Sequence, residues 1–317
     1  MIAADRALPP PLDAQVAEAL ASAPPQTAWD PVAMREAGAH LLDQEAEPPR
    51  GVTRTVLHVP TPPGSAGSAG PDDLELRIHT PDTPAGAVVV SIHGGGFVAG
   101  RARYDDAWNA RMAARTGAVV VSPDYRLAPE HPYPAPMEDC LTAWRWAAER
   151  YPEARRVIYG DSAGGCLAAG VVLRCRDARE ALPDRVVLVE PVLDDRLDTV
   201  SMRGAAHTPV WDLPNATASW AAYLGGARAD TYAAPGRQAD LVGFPPTFLL
   251  VNQCDPLMDE ALAFAQALTR SGVPTEAALL AGSCHGILGL EGPRLARRAR
   301  ELVLERLMAA CSTGCSA

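Results

Sequence analysis

The sequence contains no lysine, so all of its 28 basic residues are arginines. They are outnumbered by 38 acidic residues, which gives a formal net charge of −10. Because the chain is acidic and has no basic block, it is a poor candidate for binding nucleic acid or an anionic membrane surface. We therefore expect neither nucleic acid nor a membrane among its partners.

Long apolar runs and cysteine motifs are also missing. No stretch approaches the roughly 18 apolar residues of a membrane helix, and the acidic, proline-rich N-terminus lacks the apolar segment of a secretory signal. The seven cysteines show no C-x-x-C spacing, and a chain of this length needs neither disulfides nor a metal for its stability. A cytoplasmic location and the absence of a metal are therefore expected.

After residue 86, short apolar runs alternate with helix-like stretches. Such runs suit strands buried on both faces of a parallel sheet that crossover helices cover. Two earlier strand-like runs flank a Gly/Ser/Pro-rich loop and predict a hairpin. The sequence therefore predicts an α/β fold with an eight-stranded, mostly parallel sheet flanked by helices, in which ligands bind beyond the carboxyl ends of the strands. The predicted strands are 53–59, 74–80, 87–92, 118–122, 157–159, 186–190, 247–252 and 276–280; the predicted helices are 104–116, 137–150, 163–177, 259–271 and 293–310.

Two segments do not fit this alternation. The first 50 residues carry helix-like patterns at 13–21 and 31–43 with proline-rich breaks, and residues 194–241 contain Trp211, Trp220 and Tyr223 at helix-compatible spacing. We interpret the second segment as a cap that shapes an acyl pocket, although a packed insertion without a catalytic role would give the same pattern. The predicted domains are N-terminal cap helices at 1–50, a catalytic domain with the cap insertion at 51–310, and a tail at 311–317.

The clearest chemical motif is Gly160-Asp161-Ser162-Ala163-Gly164, which follows a predicted strand and opens a predicted helix. G-x-S-x-G in this context is typical of a nucleophile on a strand-to-helix turn. The turn is tight, and the two glycines provide the missing side chains that it requires. Free N–H groups at the helix N-terminus favour negative charge. Ser162 is the predicted nucleophile.

A second motif is the run HGGGF at residues 93–97, directly after a predicted strand. Three consecutive glycines are unfavourable in entropy, so they indicate a backbone that must approach another group closely. An oxyanion hole, made of backbone N–H groups, has this requirement. The predicted donors are the N–H groups of Gly95, Gly96 and Ala163, whereas a merely flexible loop would not need the flanking residues His93 and Phe97.

A serine nucleophile needs a base and a carboxylate that orients the base. In this topology the chain order is serine, acid, histidine, and only His207 and His285 lie downstream of the serine. His285 is favoured because it follows the last predicted strand, whereas His207 lies in the predicted cap. Asp255 follows the preceding strand and is the predicted acid. Asp259 and Glu260 compete for this role but suit the first turn of a helix better.

Five motifs occur in a fixed order along the chain: HGGGF at 93–97, YRLAPE at 125–130, GDSAGG at 160–165, DPLMDE at 255–260 and HG at 285–286. Together they resemble the bacterial hormone-sensitive-lipase-like carboxylesterases of the α/β-hydrolase superfamily, over roughly residues 50–310. The resemblance implies a triad of Ser162, Asp255 and His285, an oxyanion hole built from the HGGG glycines with Ala163, and a YRLAPE segment that supports that loop. It also implies short- to medium-chain ester substrates and no cofactor.

Two features need separate interpretation. Glu190 precedes a proline where a small or neutral residue is more usual in the family; we interpret it as a rim residue that is solvated or paired with arginine, rather than a substrate contact. Cys166, Cys254 and Cys284 lie close in sequence to the candidate triad. Small buried residues are the ordinary interpretation, but we expect moderate sensitivity to thiol reagents.

The sequence thus predicts a serine carboxylesterase that hydrolyses a small-molecule ester through an acyl-enzyme. An acyltransferase or a specialised biosynthetic hydrolase would use the same residues. A ligand-binding receptor on this fold is a more distant alternative, because such receptors lose a triad member. A homodimer is the assembly considered.

Overall fold

The computed structural model describes residues 11–22, 30–31, 34–35, 48–61, 73–206 and 208–312. Its centre is one eight-stranded sheet in the order β1-β2-β4-β3-β5-β6-β7-β8. The strands are β1 (Val52–Val59), β2 (Leu74–Pro81), β3 (Ala87–Ile92), β4 (Val119–Pro123), β5 (Arg155–Asp161), β6 (Arg185–Val189), β7 (Thr247–Asn252) and β8 (Thr275–Leu280). The α/β fold and all eight predicted strands are confirmed.

Only β2 runs against its neighbours. It pairs antiparallel with β1, as the predicted hairpin requires, and antiparallel with β4. The strands from β4 through β3, β5, β6 and β7 to β8 are parallel. Their carboxyl ends therefore meet at one edge of the sheet, where ligands of such folds bind.

Helices cover both faces of the sheet. The described helices are α1 (Ala14–Ala21), α2 (Asp106–Thr116), α3 (Ala135–Arg150), α4 (Ala163–Ala178), α5 (Val200–Arg203), α6 (Leu213–Leu224), α7 (Met258–Arg270) and α8 (Arg294–Cys311). Side chains alternate between the faces along a strand. In β3, Val88, Val90 and Ile92 pack with the cluster that includes α3, α4, α6 and α7, whereas Ala87 and Val89 pack with the cluster of α1, α2 and α8. This two-sided burial explains the nearly continuous apolar strand sequences.

Arginine makes the buried ion pairs of the fold. The Arg77 Nε donates to the Asp106 carboxylate at 2.9 Å, and both residues are about 5% exposed or less. Arg54 donates to the same carboxylate at 3.0 Å. Arg126 forms a second pair with Asp139 at 2.7 Å. The Asp106 network ties the hairpin to the start of α2.

Some predicted features lie wholly or partly outside the described residues: the helix at 31–43, the loop at 62–72 and the end of the tail at 313–317. The short helix α5 was not predicted. None of the helices in the described part of the chain combines the length and the apolar character that crossing a bilayer requires. The division of the chain into cap and catalytic domains stays a prediction.

Candidate active site

Ser162 lies at the turn between β5 and α4, at the carboxyl edge of the sheet. Its backbone has φ +54° and ψ −117°, a region that non-glycine residues rarely adopt and that marks strain at functional turns. The turn closes tightly against the end of β3. A Cβ on Gly164 would lie 2.1 Å from the Ile92 carbonyl oxygen, so only glycine fits there.

The structure brings the three candidate triad residues together. The Ser162 Oγ lies 3.0 Å from the His285 Nε2, and the His285 Nδ1 lies 2.8 Å from the Asp255 Oδ2. The other carboxylate oxygen of Asp255 accepts the Leu257 N–H at 2.9 Å, which fixes the orientation of the acid. All three catalytic candidates are less than 7% exposed. The side chains therefore form one hydrogen-bonded chain from hydroxyl to carboxylate.

The competing acids have other partners. Asp259 accepts the Ser201 N–H at 2.8 Å, and Glu260 accepts the Leu193 N–H at 2.7 Å. Both lie in the first turn of α7, as predicted. The competing histidine, His207, lies outside the described residues.

Carboxylates dominate the electrostatics of His285. Burial by itself would lower the pKa of this imidazole, but the charges of Glu190 and Asp255 and the Asp255 hydrogen bond outweigh burial and raise the pKa above its ordinary value of 6.5. These carboxylates therefore stabilise the imidazolium that forms when the serine proton is transferred, and the same rise in pKa moves the neutral imidazole, the form that acts as a base, to higher pH.

The glycine loop after β3 lies beside Ser162. Gly95 has φ +118°, and a Cβ at this position would lie 2.1 Å from the Ala99 carbonyl oxygen, so the loop requires glycine here. The N–H groups of Gly95, Gly96 and Ala163 have no hydrogen-bond acceptor among the described residues. N–H donors without a protein acceptor beside a nucleophile have the chemistry of an oxyanion hole.

Two neighbouring segments hold this loop. The Tyr125 hydroxyl donates to the His93 carbonyl at 2.9 Å, and the Ala128 N–H donates to the Phe97 carbonyl at 2.9 Å. The YRLAPE segment thus contacts the loop, as the resemblance implies. From the other side, the Phe97 ring stacks on Tyr223 of α6 with a centroid distance of 4.0 Å.

The chain is similar to known proteins in sequence and in fold. Residues 89–289 match the family described as having the alpha/beta hydrolase fold. The chain belongs to this family. The resemblance drawn from the five motifs is therefore confirmed for the family and for its fold.

Several relatives of this α/β hydrolase are named esterases. Esterase LipI of Mycobacterium tuberculosis is 35% identical over 241 residues, which cover 71% of this chain and 74% of LipI. Ethyl acetate hydrolase of Pseudomonas putida is 32% identical over 233 residues, which cover 68% and 71% of the two chains. Among solved structures, a bacterial heroin esterase superimposes with a TM-score of 0.86 at 34% identity and covers 95% of this chain and 98% of its own.

The α/β hydrolase has a cavity of about 400 Å³ that Ser162 and His285 line. Val210 and Trp211, from the segment predicted to be a cap, line part of it. The Trp211 ring lies 5.8 Å from the His285 ring between centroids. These contacts support the interpretation of the 194–241 segment as a cap, which stays a proposal.

Sequence reasoning missed an acidic part of the cavity lining. Asp105 and Asp161 both line it. Burial, together with a neighbouring carboxylate in each case, raises the pKa of both carboxyl groups. Asp161 occupies a variable position of the G-x-S-x-G motif, and Asp105 follows the glycine loop. Neither position carries a signal that separates a cavity residue from an ordinary surface acid.

The interpretation of Glu190 as a solvated or arginine-paired rim residue is wrong. Its side chain is buried, with 3% of the residue exposed. The Gly286 N–H donates to its Oε1 at 2.7 Å, and the Asn252 side-chain amide donates to its Oε2. The Glu190 carboxylate therefore lies inside the α/β hydrolase, next to the His285 loop.

The expected thiol sensitivity also finds no support. Cys166, Cys254 and Cys284 are buried, and burial raises the pKa of each thiol, in the case of Cys284 to about 12. Because the thiolate is the reactive form, these cysteines should be inert towards alkylating reagents.

One group of residues in the described part of the chain has metal-ligand geometry: Glu190, Asp255 and His285, with ligand atoms within 4.8 Å of one another. Its atoms already make hydrogen bonds: Asp255 with His285, and Glu190 with Gly286. A metal bound there would displace the Asp255–His285 hydrogen bond, so we assign none. The absence of a metal stays a prediction.

Proposed function

We propose that this chain is a serine carboxylesterase that hydrolyses short- to medium-chain acyl esters through an acyl-enzyme. The observation that carries the proposal is the hydrogen-bonded series Ser162–His285–Asp255, with distances of 3.0 and 2.8 Å, beside backbone N–H groups that have no described acceptor. This arrangement contains a nucleophile, a base, an orienting acid and donors for an oxyanion.

In the first half-reaction, the Ser162 Oγ attacks the ester carbonyl carbon while its proton passes to the His285 Nε2. The carbonyl electron pair moves to the oxygen, and the N–H groups of Gly95, Gly96 and Ala163 would stabilise the resulting oxyanion. Asp255 holds the imidazole in the required tautomer and stabilises the imidazolium.

Collapse of this intermediate breaks the bond to the leaving alcohol. His285 donates its proton to the alcohol oxygen, which departs, and the acyl group stays on Ser162. A water molecule then repeats the sequence: its oxygen attacks the acyl carbonyl carbon while His285 accepts a water proton. The bond between the acyl carbon and the Ser162 Oγ breaks, His285 returns the proton to this Oγ, and the carboxylic acid leaves.

The substrate class follows from the cavity and from the relatives. A cavity of about 400 Å³ lies at the small end of the range for small-molecule sites. Val210 and Trp211 supply apolar surface for an acyl chain. The names of the relatives, esterase and ethyl acetate hydrolase, favour water as the acceptor over the alcohol or amine of an acyltransferase.

The direct test replaces the nucleophile. Ser162→Ala should lower the turnover of p-nitrophenyl butyrate by at least about 10⁴-fold, because the residues of a triad act as a unit. A fluorophosphonate probe should label the wild-type protein on Ser162, as located by peptide mass spectrometry. Ser312→Ala, at the end of α8, is the matched control and should retain wild-type turnover.

Three results would contradict the proposal: turnover retained by Ser162→Ala, probe labelling at another residue, or no release of p-nitrophenol by the wild-type protein. The last result would favour a ligand-binding receptor. If an added alcohol or amine took up most of the acyl group in place of water, the acyltransferase alternative would be correct. The cytoplasmic location and the homodimer stay predictions.

A further inference from the structure

Glu190 places a second carboxylate beside the proposed catalytic base. Its Oε1 lies 3.8 Å from the His285 Nε2, the nitrogen that faces the Ser162 Oγ. Asp255 contacts the other ring nitrogen, Nδ1. The imidazole therefore has one buried carboxylate near each of its nitrogens.

The fold keeps Glu190 in this position under strain. Its backbone has φ +39°, which is unfavourable for a residue with a side chain. Residues with such a strained backbone occur most often at functional sites. The Gly286 N–H and the Asn252 amide hold the two carboxylate oxygens. In the described part of the chain, His285 is the one basic group within 4 Å of this carboxylate.

We propose that Glu190 is a positioning residue for the ester hydrolysis described above, and that it acts through His285 in two ways. Its hydrogen bond to the Gly286 N–H fixes the loop that carries the imidazole. Its negative charge stabilises the imidazolium that forms when Ser162 transfers its proton. This inference rests on the proposed function.

The distances explain why Glu190 assists without competing. At 3.8 Å from Nε2, the carboxylate lies beyond ordinary hydrogen-bond range, whereas Ser162 lies within it at 3.0 Å. The Nε2 proton therefore stays available for the leaving alcohol, while the charge of Glu190 acts on it through a buried, weakly screened space.

Burial raises the pKa of the Glu190 carboxyl to about 8, although the His285 charge and the Gly286 hydrogen bond oppose this rise. Glu190 therefore supplies its charge in the alkaline range in which the imidazole, whose pKa is also raised, loses its proton. The other acidic groups around the imidazole have the same sign when they are ionised. Asp255 follows β7 and Asp161 ends β5, and both carboxylates favour the charged form of His285. The thiols of Cys254 and Cys284 nearby have raised pKa values and stay neutral. Removal of the Glu190 charge should therefore lower the pKa of His285 without introducing a compensating cation.

Glu190→Gln is the informative variant because it keeps the shape and removes the charge. The glutamine oxygen can still accept the Gly286 N–H. The Asn252 Oδ1 is buried and has no hydrogen-bond partner in the described structure, so a flipped Asn252 amide can accept the new NH₂ group.

The test is the pH dependence of kcat and kcat/KM for p-nitrophenyl butyrate. In Glu190→Gln, the acidic limb of kcat/KM should move down by about one pH unit, and the plateau should fall about three- to tenfold because a less basic imidazole removes the proton more slowly. KM should change less than about twofold, since the loss acts on the chemical step. Glu190→Asp, which retains the charge, should keep its limb closer to the wild-type position.

Glu260→Gln is the matched control, because Glu260 is also a buried carboxylate but contacts the Leu193 and Asp194 N–H groups instead of His285. It should leave the acidic limb in place. If Glu190→Gln does not fold, as judged by circular dichroism, Glu190→Ser removes the same charge with a smaller side chain and should shift the limb in the same direction.

This inference would be overturned if the pH profile of kcat/KM for Glu190→Gln superimposed on the wild-type profile. It would also be overturned if the acidic limb moved equally in Glu190→Gln and Glu190→Asp. Both outcomes require an active wild-type enzyme and therefore leave the proposed function intact. An inactive wild-type protein would instead contradict the proposed function itself.

Discussion

Tyr125 contacts His93 twice: its hydroxyl donates to the His93 carbonyl at 2.9 Å, and its ring stacks on the imidazole at 4.1 Å with an interplanar angle of 12°. The His93 carbonyl joins directly to the glycine loop that carries two of the proposed oxyanion donors. Tyr125 is almost fully buried, so its hydroxyl has no access to bulk water. The position of these donors therefore depends on a side chain that does not reach the substrate.

Tyr125→Phe should lower kcat about three- to tenfold with little change in KM, because it removes one buried hydrogen bond, worth about 1 kcal/mol, and keeps the stacked ring. Steady-state kinetics with p-nitrophenyl butyrate measure the effect. Tyr151→Phe, in a ring contact with Trp146 away from the site, should behave as wild type. An unchanged kcat in Tyr125→Phe would mean that the loop holds its shape without this bond.

Gly95→Ala should lower kcat/KM by about 100-fold or more, because a Cβ 2.1 Å from the Ala99 carbonyl oxygen must displace the loop and its N–H donors. Gly289→Ala is the control, since its Cβ would meet no atom within 4 Å. Far-ultraviolet circular dichroism checks that both variants fold. Activity within twofold of wild type in Gly95→Ala would exclude this loop as the oxyanion hole.

Iodoacetamide at pH 7.5 should leave the esterase activity unchanged, because burial raises the pKa of the thiols near the site and keeps them in the unreactive form. Residual activity and the number of labels at Cys166, Cys254 and Cys284 are measured together by mass spectrometry. The same treatment in urea should label all three positions. Labelling of these cysteines in the folded protein, with loss of activity, would instead support the sensitivity to thiol reagents that the sequence analysis expected.

Asp106→Asn should lower the free energy of unfolding by about 3 kcal/mol, because it removes the buried carboxylate that pairs with Arg77 and leaves this guanidinium with the half-buried Glu75 carboxylate at 3.1 Å. Urea denaturation measures the change. Glu301→Gln, which breaks exposed pairs with Arg111 and Arg115, should cost about 1 kcal/mol or less. Similar effects of the two changes would show that the Asp106 network contributes no more than surface pairs.

The Asp106 contribution should also depend on pH. Burial alone would raise the pKa of this carboxyl, but the hydrogen bonds and charges of Arg77 and His79 lower it to about 2 from the ordinary value of 3.8. A carboxyl whose pKa is lower in the folded state than in the unfolded state stabilises the protein at pH values above the unfolded-state pKa. This stabilisation is lost as the pH falls through the folded-state pKa. The difference in unfolding free energy between wild type and Asp106→Asn should therefore shrink as the pH falls below 3.8 and should be largely lost once the pH is below about 2. A difference that stays constant over this range would contradict the ion-pair explanation.

The features that could be predicted from the sequence are those that a local sequence pattern determines. Continuous Val/Ile/Leu runs located the strands, and Ser162, Asp255 and His285 became the candidates for the triad because each follows a strand in an order that the fold requires. The burial of Glu190 could not be predicted in this way. It depends on the lateral order β6-β7-β8, which places Glu190 beside Asn252 and Gly286, 62 and 96 positions away in the chain. Since carboxylates are rarely buried, a surface position was the natural but mistaken expectation.

The use of arginine in place of lysine in the ion pairs has a consequence for alkaline conditions. A lysine ammonium begins to lose its proton near pH 10, whereas a guanidinium stays charged throughout the range in which proteins are handled. The pairs Arg77–Asp106 and Arg126–Asp139 should thus persist at pH values where lysine-based pairs dissolve. The arginine pairs that support the scaffold around the proposed triad should accordingly persist in the alkaline range in which the His285 imidazole, with its pKa raised to about 10, loses its proton.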